Sequence, residues 1–420
     1  MNRTIGKCAA ALAVTLAAAT AGCLSPIAMH RAVLEYDRTV SYVESDLLLL
    51  NIARARHHRP VHFTAVSSVA ATFDFRTSAG VGGTVGGAVS PPDRPISLQY
   101  AASIAENPTI TIVPINGEEF TKRVLRPFDE ARFEFLVHQG FDINMVLRLI
   151  ARGINVNGED RPAVLFNAPS NPGYPEFRRR LLHLAALDRQ HQLFVGPILY
   201  EDVVPVRLDR APTPDEVVDG LEKGYQWTPA EAAKPTGASA GQEGAAGLYH
   251  LSRQRAGRVL ITNYDPVRLP NEERKRLQEE AARYPLDYIL VDIRRGFPGG
   301  DYPLHGTIML RSLNAIIGFV ARGLGEEPEF HVDKDSRTGP VARNPVRTLE
   351  VEEADAKPQA FEFSVEFDSK HYSIRKFPIS EGMSPDWNHE AFTVLANLFQ
   401  MTVTDVSNVK TPIISISKGG

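Results

Sequence analysis

The sequence predicts an α+β fold in several domains: an N-terminal helix, a glycine-rich β-hairpin, and mixed sheets with packed helices. Three observations carry that expectation. Segments of strand period and of helix period are mixed without the regular βαβ alternation of a parallel sheet. The 420 residues exceed the usual size of one hydrophobic core, so two or three domains are expected. A hydrophobic content of 43% excludes global disorder.

The chain opens with Arg3 and Lys7, and from Cys8 to Ala21 it holds only Ala, Val, Leu, Thr and Cys. A basic start, a short apolar run and small residues at its end predict a secretory signal peptide over 1–22. That run is shorter than the about 20 apolar residues a spanning helix needs, and charges, Gly or Pro interrupt every later one. Thr20-Ala21-Gly22-Cys23 resembles a bacterial lipobox, with Thr20 where leucine is usual. Ala19-Thr20-Ala21 offers a competing site for plain secretion. The chain has two cysteines, so once Cys8 is removed Cys23 has no disulfide partner. Cys23 is therefore expected to carry lipid, palmitate included. Leu24 and Ser25 lack the aspartate associated with retention at the inner membrane, so the expected location is the outer membrane, facing the periplasm.

Without Arg3 and Lys7 the chain carries 44 basic and 50 acidic residues, a net charge of −6. That balance argues against nucleic acid as a partner, since phosphate binding needs a basic surface.

Seven segments are expected. They are the signal peptide 1–22, a lipid-anchored helix 23–60, a β-rich segment 61–128, an α+β domain 129–228, a flexible linker or insertion 229–247, an α+β segment 248–345, and a strand–helix segment 346–420. In "HRAVLEYDRTVSYVESDLLLLNIARARHH", Val33, Tyr36, Val40, Val43, Leu47 and Leu50 fall three and four apart. This is read as an amphipathic helix packed on its own domain, with self-association as the alternative; Pro60 ends it. Val69, Ala71, Phe73 and Phe75 then alternate with Ala70, Thr72, Asp74 and Arg76. The same alternation resumes at Ile96, Leu98, Tyr100, Ala102 and Ile104 after a glycine-rich stretch. Two strands of about ten residues are predicted, long enough to cross a membrane if several subunits pooled hairpins. The alternative is a hairpin with one wet face on a soluble sheet.

"NPTITIVPINGEEFTKRVLRPF" predicts a further strand, a turn at Asn116-Gly117 and a helix. Residues 129–152 read as helical, with Phe133, Leu136, Val137, Met145, Leu149 and Ile150 as core. "PEFRRRLLHLAAL" predicts a helix with Pro175 in its first turn and a solvated arginine face. "QLFVGPILY" reads as strand, and Thr213-Pro214-Asp215-Glu216 as a capped helix start. Residues 229–247 hold Ala, Gly and Pro without a large apolar side chain. Beyond them come strand "GRVLITN", helix "NEERKRLQEEAARY", strand "LDYILVDI" and helix "TIMLRSLNAIIGFVARG". Strands "FEFSVEF" and "HYSIRKF" flank a turn at Asp368-Ser369-Lys370. Ser384 is expected to cap a helix burying Trp387, Ala391, Leu395, Leu398 and Phe399, ahead of a last strand "PIISIS".

The stretches "EYDRTVSYVESDLLLLNIARARHHRPVHFTAVSS", "NPTITIVPINGEEFTKRVLRPF", "LRSLNAIIGFVA", "HYSIRKF" and "AFTVLANLF" cover about a third of the chain. In them it resembles a group of uncharacterised bacterial outer-membrane lipoproteins. No activity attaches to that group, so the resemblance implies no catalytic residue.

Each candidate for chemistry meets an obstacle. Gly237-Ala238-Ser239-Ala240-Gly241 matches G-x-S-x-G, but lies in the Pro- and Gly-rich stretch rather than at a strand-to-helix turn. His57, His58 and His62 are the densest histidine cluster, yet Pro60 separates them and no acidic residue is near in sequence. They are read as helix-end groups that complement the dipole. Asp333-x-Asp335 is similar to a calcium loop but has Arg337 at the next ligand position. "DIRRGFPGGDYPLHG" lacks nucleotide-binding spacing, and Asp287 with Asp292 is a pair without geometry. No catalytic residue, metal or cofactor is expected. The expected function is a structural or interaction role in the cell envelope, with the membrane, other envelope proteins or other copies as partners. The alternatives are a subunit of an oligomeric outer-membrane pore and a periplasmic hydrolase or ligand-binding lipoprotein.

Overall fold

The computed structural model describes residues 30–31, 33–82, 97–115, 117–157, 163–208, 210–229, 247–358, 363–374, 387–403 and 415–416. Cys23 and the signal peptide, the glycine-rich stretch after Gly82, most of 229–247 with Ser239, and Ser384 lie outside them. In chain order the elements are α1 (33–56), β1 (Phe63–Gly82), β2 (Ser97–Ile115), α2 (Glu118–Leu125), α3 (Glu130–His138), α4 (Ile143–Ile150), β3 (Ala151–Val156), β4 (Ala163–Phe166) and α5 (Tyr174–Arg189). There follow β5 (Phe194–Leu208), α6 (Pro214–Glu222), β6 (Gln226–Pro229), β7 (Gly247–Thr262), α7 (Asn271–Ala282), β8 (Tyr288–Ile293), β9 (Leu304–Leu310) and α8 (Leu313–Gly323). The last are β10 (Val351–Ala354), β11 (Ser364–Phe367), β12 (Lys370–Ile374), α9 (Trp387–Val403) and β13 (Ser415–Ile416). The fold class is α+β, as predicted.

Two compact units share these elements. The first draws on Met1–Asn51, Pro60–Phe120 and Val403–Gly420, the second on Ile52–Arg59 and Thr121–Thr402. Within the first, β1 and β2 form an antiparallel ribbon flanked by β13 in the order β1-β2-β13. The strands are twice the expected length. β2 runs unbroken through Asn107-Pro108, where the sequence suggested an end, and Pro108 pairs with Ala71. Proline survives in a ladder where its missing N–H faces away from a partner strand. The register pairs Val69 with Ile110, Phe75 with Ile104, Ala79 with Tyr100 and Val81 with Leu98. At these four pairs an apolar residue of β1 stands opposite an apolar residue of β2 in the ladder, whereas Phe73 stands opposite Glu106.

The second unit is built on a seven-stranded sheet, β4-β3-β9-β8-β7-β5, with β6 also paired to β7. Only β7 and β8 run parallel, and α7 makes the crossover between them. Leu277 and Ala281 of α7 pack on Ile198, Leu260 and Leu290, filling the space under that crossover. Because β6 and β7 pair directly, the segment between them joins neighbouring strands of one sheet. A smaller sheet, β10-β12-β11, turns at Asp368 and Ser369. Both have positive φ (54° and 62°), the backbone a two-residue hairpin loop of type I′ requires. Thr213 and Glu216 form the predicted capping box of α6.

Four expectations are corrected. The buried face of α1 is formed by Leu48, Leu49, Ile52 and Ala53, whereas Val33 is 59% exposed and Leu47 and Leu50 are half-buried. The helical stretch 129–152 splits in two at Gly140 (φ +86°), and Ala151 already belongs to β3. Asp129 and Asp142 cap the two halves, accepting from the backbone N–H groups of Arg132 and Asn144. "TIML" is strand, not helix. Flanked by β8 and β3 and buried, it has no alternation to betray it. The arginine face of α5 is not wholly solvated, because Arg178 is fully buried.

Candidate functional site

In the second unit a cleft of about 640 Å³ opens between the β3–β4 edge and the start of α8. Its geometry begins with a chain reversal that needs no loop. α4 ends at Ile150 and β3 starts at Ala151, leaving carbonyls of the last helical turn without helical partners. Side chains from elsewhere take them. Asn167, just after β4, donates through Nδ2 to the Arg148 and Ala151 carbonyls at 2.8 and 2.9 Å. Arg311, between β9 and α8, donates through Nη1 to the Arg148 and Leu149 carbonyls and through Nη2 to the Asn167 carbonyl. Its guanidinium also lies 3.9 Å from the centroid of the Phe319 ring.

Both residues line the cleft, as do Arg152 and Arg322. No aspartate or glutamate lines it. Ser312 caps α8 by accepting from the Ala315 N–H at 3.2 Å, which brings the positive end of the helix to the cleft. Ala315 and Gly318 on the facing side of α8 leave its floor open. Burial pulls the Arg311 guanidinium down to about 9, and the charge of Arg322 pushes the same way.

A second cluster surrounds Asp292, near the end of β8. Its carboxylate accepts from the Tyr264 hydroxyl and Arg294 Nε, both at 2.5 Å, and meets His305 Nδ1 at 3.1 Å. His305 Nε2 lies 2.9 Å from Glu280. Burial drives Asp292 up, but hydrogen bonds from His305, Tyr264 and Arg294 prevail and lower it. The hydrogen bond to Asp292 raises His305 against burial, with Glu280 adding to the rise. A carboxylate beside each ring nitrogen favours the charged imidazolium, in which both N–H groups have an acceptor, and the arrangement ties α7, β8 and β9 together.

A third cluster is fully interior. Glu329 accepts from Arg148 Nη2 at 3.1 Å, the Tyr174 hydroxyl at 3.0 Å and Thr348, while Arg178 Nη1 lies 3.6 Å away. Arg148 and Arg178 also donate to carbonyls at 345 and 346, which straps the irregular segment after α8 onto α4 and α5.

The residues singled out by sequence fare differently. Cys23 and Ser239 lie outside the described residues. His57 Nε2 is 2.6 Å from the Tyr372 hydroxyl and its Nδ1 3.3 Å from Asp368, while His58 lies 3.1 Å from Glu326. The His62 N–H donates to Asn51 Oδ1. Among the described residues no three His, Cys, Asp or Glu groups are placed to hold a metal ion. Arg337 occupies Asp335 through Nε at 2.7 Å and Nη2 at 2.9 Å and holds its carboxylate far below the usual range. Asp333 points to solvent beside His331. Asp287 and Asp292 do not act as a pair; Asp292 alone is built into a cluster. Sequence reasoning missed Arg152, Asn167, Arg311 and Arg322. Arg311-Ser312 ahead of "LNAIIGFVA" was the available signal, since serine there marks a helix start.

No protein family, curated protein or solved structure matches the chain.

Proposed function

We propose that this is a lipid-anchored cell-envelope protein with a structural or protein-interaction role, of the outer-membrane lipoprotein group that its sequence resembles. Cys23 is its attachment point, the periplasm its working compartment, and the β1–β2 ribbon its assembly element. The observation that supports the reading is the register, in which Val69 stands opposite Ile110, Phe75 opposite Ile104, Ala79 opposite Tyr100 and Val81 opposite Leu98. A ribbon of two or three strands with one apolar face is unstable alone in water and calls for a cover. Partners are other envelope proteins or further copies of this chain.

The length of the ladder favours a second reading, a subunit of an oligomeric outer-membrane pore. The paired stretch Val69–Gly82 extends for about 45 Å at about 3.3 Å per residue, more than the hydrocarbon thickness of about 30 Å. The anchor and the choice between the two readings are tested separately. Supplied palmitate should label the protein, and Cys23→Ala should move it to the soluble fraction; membrane retention without label refutes the anchor. Deletion of residues 80–92 should leave a folded monomer in a variant lacking the signal peptide, and in the exported protein it should abolish co-purification of envelope partners. If the full-length protein instead forms a ring of uniform size that the deletion abolishes, the pore reading replaces the first.

A further inference from the structure

Four arginines are buried among the described residues: Arg148, Arg178, Arg258 and Arg311. Three have a carboxylate at hand. Glu329 lies 3.1 Å from Arg148 and 3.6 Å from Arg178, and Glu130 lies 2.6 Å from Arg258. Arg311 has no ion pair within the described residues, although it is only 6% exposed. Its hydrogen bonds all go to carbonyls, which offset part of the cost of burying a cation but bring no carboxylate into contact with it. It is also the only one of the four that lines the 640 Å³ cleft.

Two further cations face the same space. Arg152 makes no ion pair among the described residues, and Arg322 has Glu327 at 3.4 Å, outside the lining. Like charges gather here against their mutual repulsion, beside the positive end of α8. Asn167, whose Nδ2 is fixed on the Arg148 and Ala151 carbonyls, holds the wall of the cleft in place behind these cations. Leu125, Phe166 and Leu310 add an apolar wall for a carbon skeleton.

We propose that this cleft binds a small organic anion, a carboxylate or phosphate on a carbon skeleton. The anionic group sits against Arg311, Arg152 and Arg322, and the skeleton lies on Leu125, Phe166 and Leu310. The volume falls within the range of ordinary small-molecule sites. The assignment is independent of how the β1–β2 ribbon is used.

Titration calorimetry of the full-length protein in detergent tests it, with glucuronate, glycerol 3-phosphate and inorganic phosphate as probes and glucose as the uncharged counterpart of glucuronate. Glucuronate or glycerol 3-phosphate should bind with Kd of about 1 mM or tighter, more tightly than inorganic phosphate and at least about tenfold more tightly than glucose. Added salt should weaken the binding. Arg152→Gln and Arg322→Gln, at exposed or half-exposed positions that leave the Arg311 contacts in place, should each weaken it about tenfold. Gly318→Leu should abolish it by filling the floor, since a Cβ there has Arg322 Nη1 as its nearest neighbour at 3.5 Å. Phosphatidylglycerol added to the micelles separates two sources of the anion: displacement of glucuronate assigns a lipid headgroup, and indifference assigns a soluble solute. Absence of heat with all three anions at about 10 mM overturns the proposal. So does glucose binding as tightly as glucuronate, or binding that survives all three substitutions.

Discussion

Replacing Glu329 by glutamine isolates the electrostatics of the interior. Arg148 and Arg178 are wholly buried around this one carboxylate, so the wild-type site already carries one uncompensated positive charge. Glutamine keeps the size, and its Oε1 can still accept from the Thr348 N–H, but two buried guanidiniums then share no anion. Removing one partner of a buried ion pair costs about 3–5 kcal/mol, because the other charge stays behind. We expect that whole cost here. Arg178→Met, in contrast, leaves the Arg148–Glu329 pair neutral and loses hydrogen bonds to the Tyr174 hydroxyl, to Asn344 and to two carbonyls, so it should cost less, about 1–3 kcal/mol. The chain has two tryptophans, and Trp387 Nε1 donates to the Thr348 carbonyl at 3.0 Å beside the cluster. Fluorescence during urea unfolding in a Trp227→Phe background therefore reports the second unit directly. Burial pushes Glu329 up, but Arg148 and Arg178 outweigh it and hold the carboxyl below its ordinary 4.5. A depressed carboxyl pKa contributes stability that is complete above about pH 4.5 and is lost as pH falls through the folded-state value. Glu329→Gln should lose that acid limb. A variant within about 0.5 kcal/mol of wild type, or one more stable than Arg178→Met, would refute the reasoning.

The clamp on His305 has the opposite pH sign. Its pKa is raised above 6.5, so its contribution is complete below pH 6.5 and is lost as pH rises through the folded value. Thermal melts should decline toward about pH 8.5 in wild type and lose that component in His305→Asn; a flat wild-type profile contradicts the clamp. Gly306 admits no side chain, since a Cβ would stand 1.9 Å from the Asn155 carbonyl oxygen across the β3–β9 ladder. Gly306→Ala should cost about 2–3 kcal/mol in urea unfolding, and an unchanged midpoint would show that the ladder gives way freely.

Local rules carried well where one face of an element meets water or where a cap is written in adjacent residues. Thr213 with Glu216, the turn at Asp368-Ser369, Pro175 in α5 and the alternation in β1 each act within a few residues, so each was legible. The misses share a cause. Ile308, Met309 and Leu310 in β9, and all eight residues of α4, are buried, and an element buried all round shows no period to distinguish helix from strand.

What the sequence by itself determined is the class of fold, the uneven charge and the strand-period alternation of the ribbon. Whether an arginine is solvated, paired or left facing a cleft belongs to the tertiary structure. Arg178 looked like part of a solvated run until Glu329 came within 3.6 Å from 151 positions away, and Arg311 looked like a helix residue until α4 presented its carbonyls from 162 and 163 positions away. A buried charge is decided by what surrounds it in three dimensions, because desolvation and Coulomb attraction depend on distances through the fold and not along the chain.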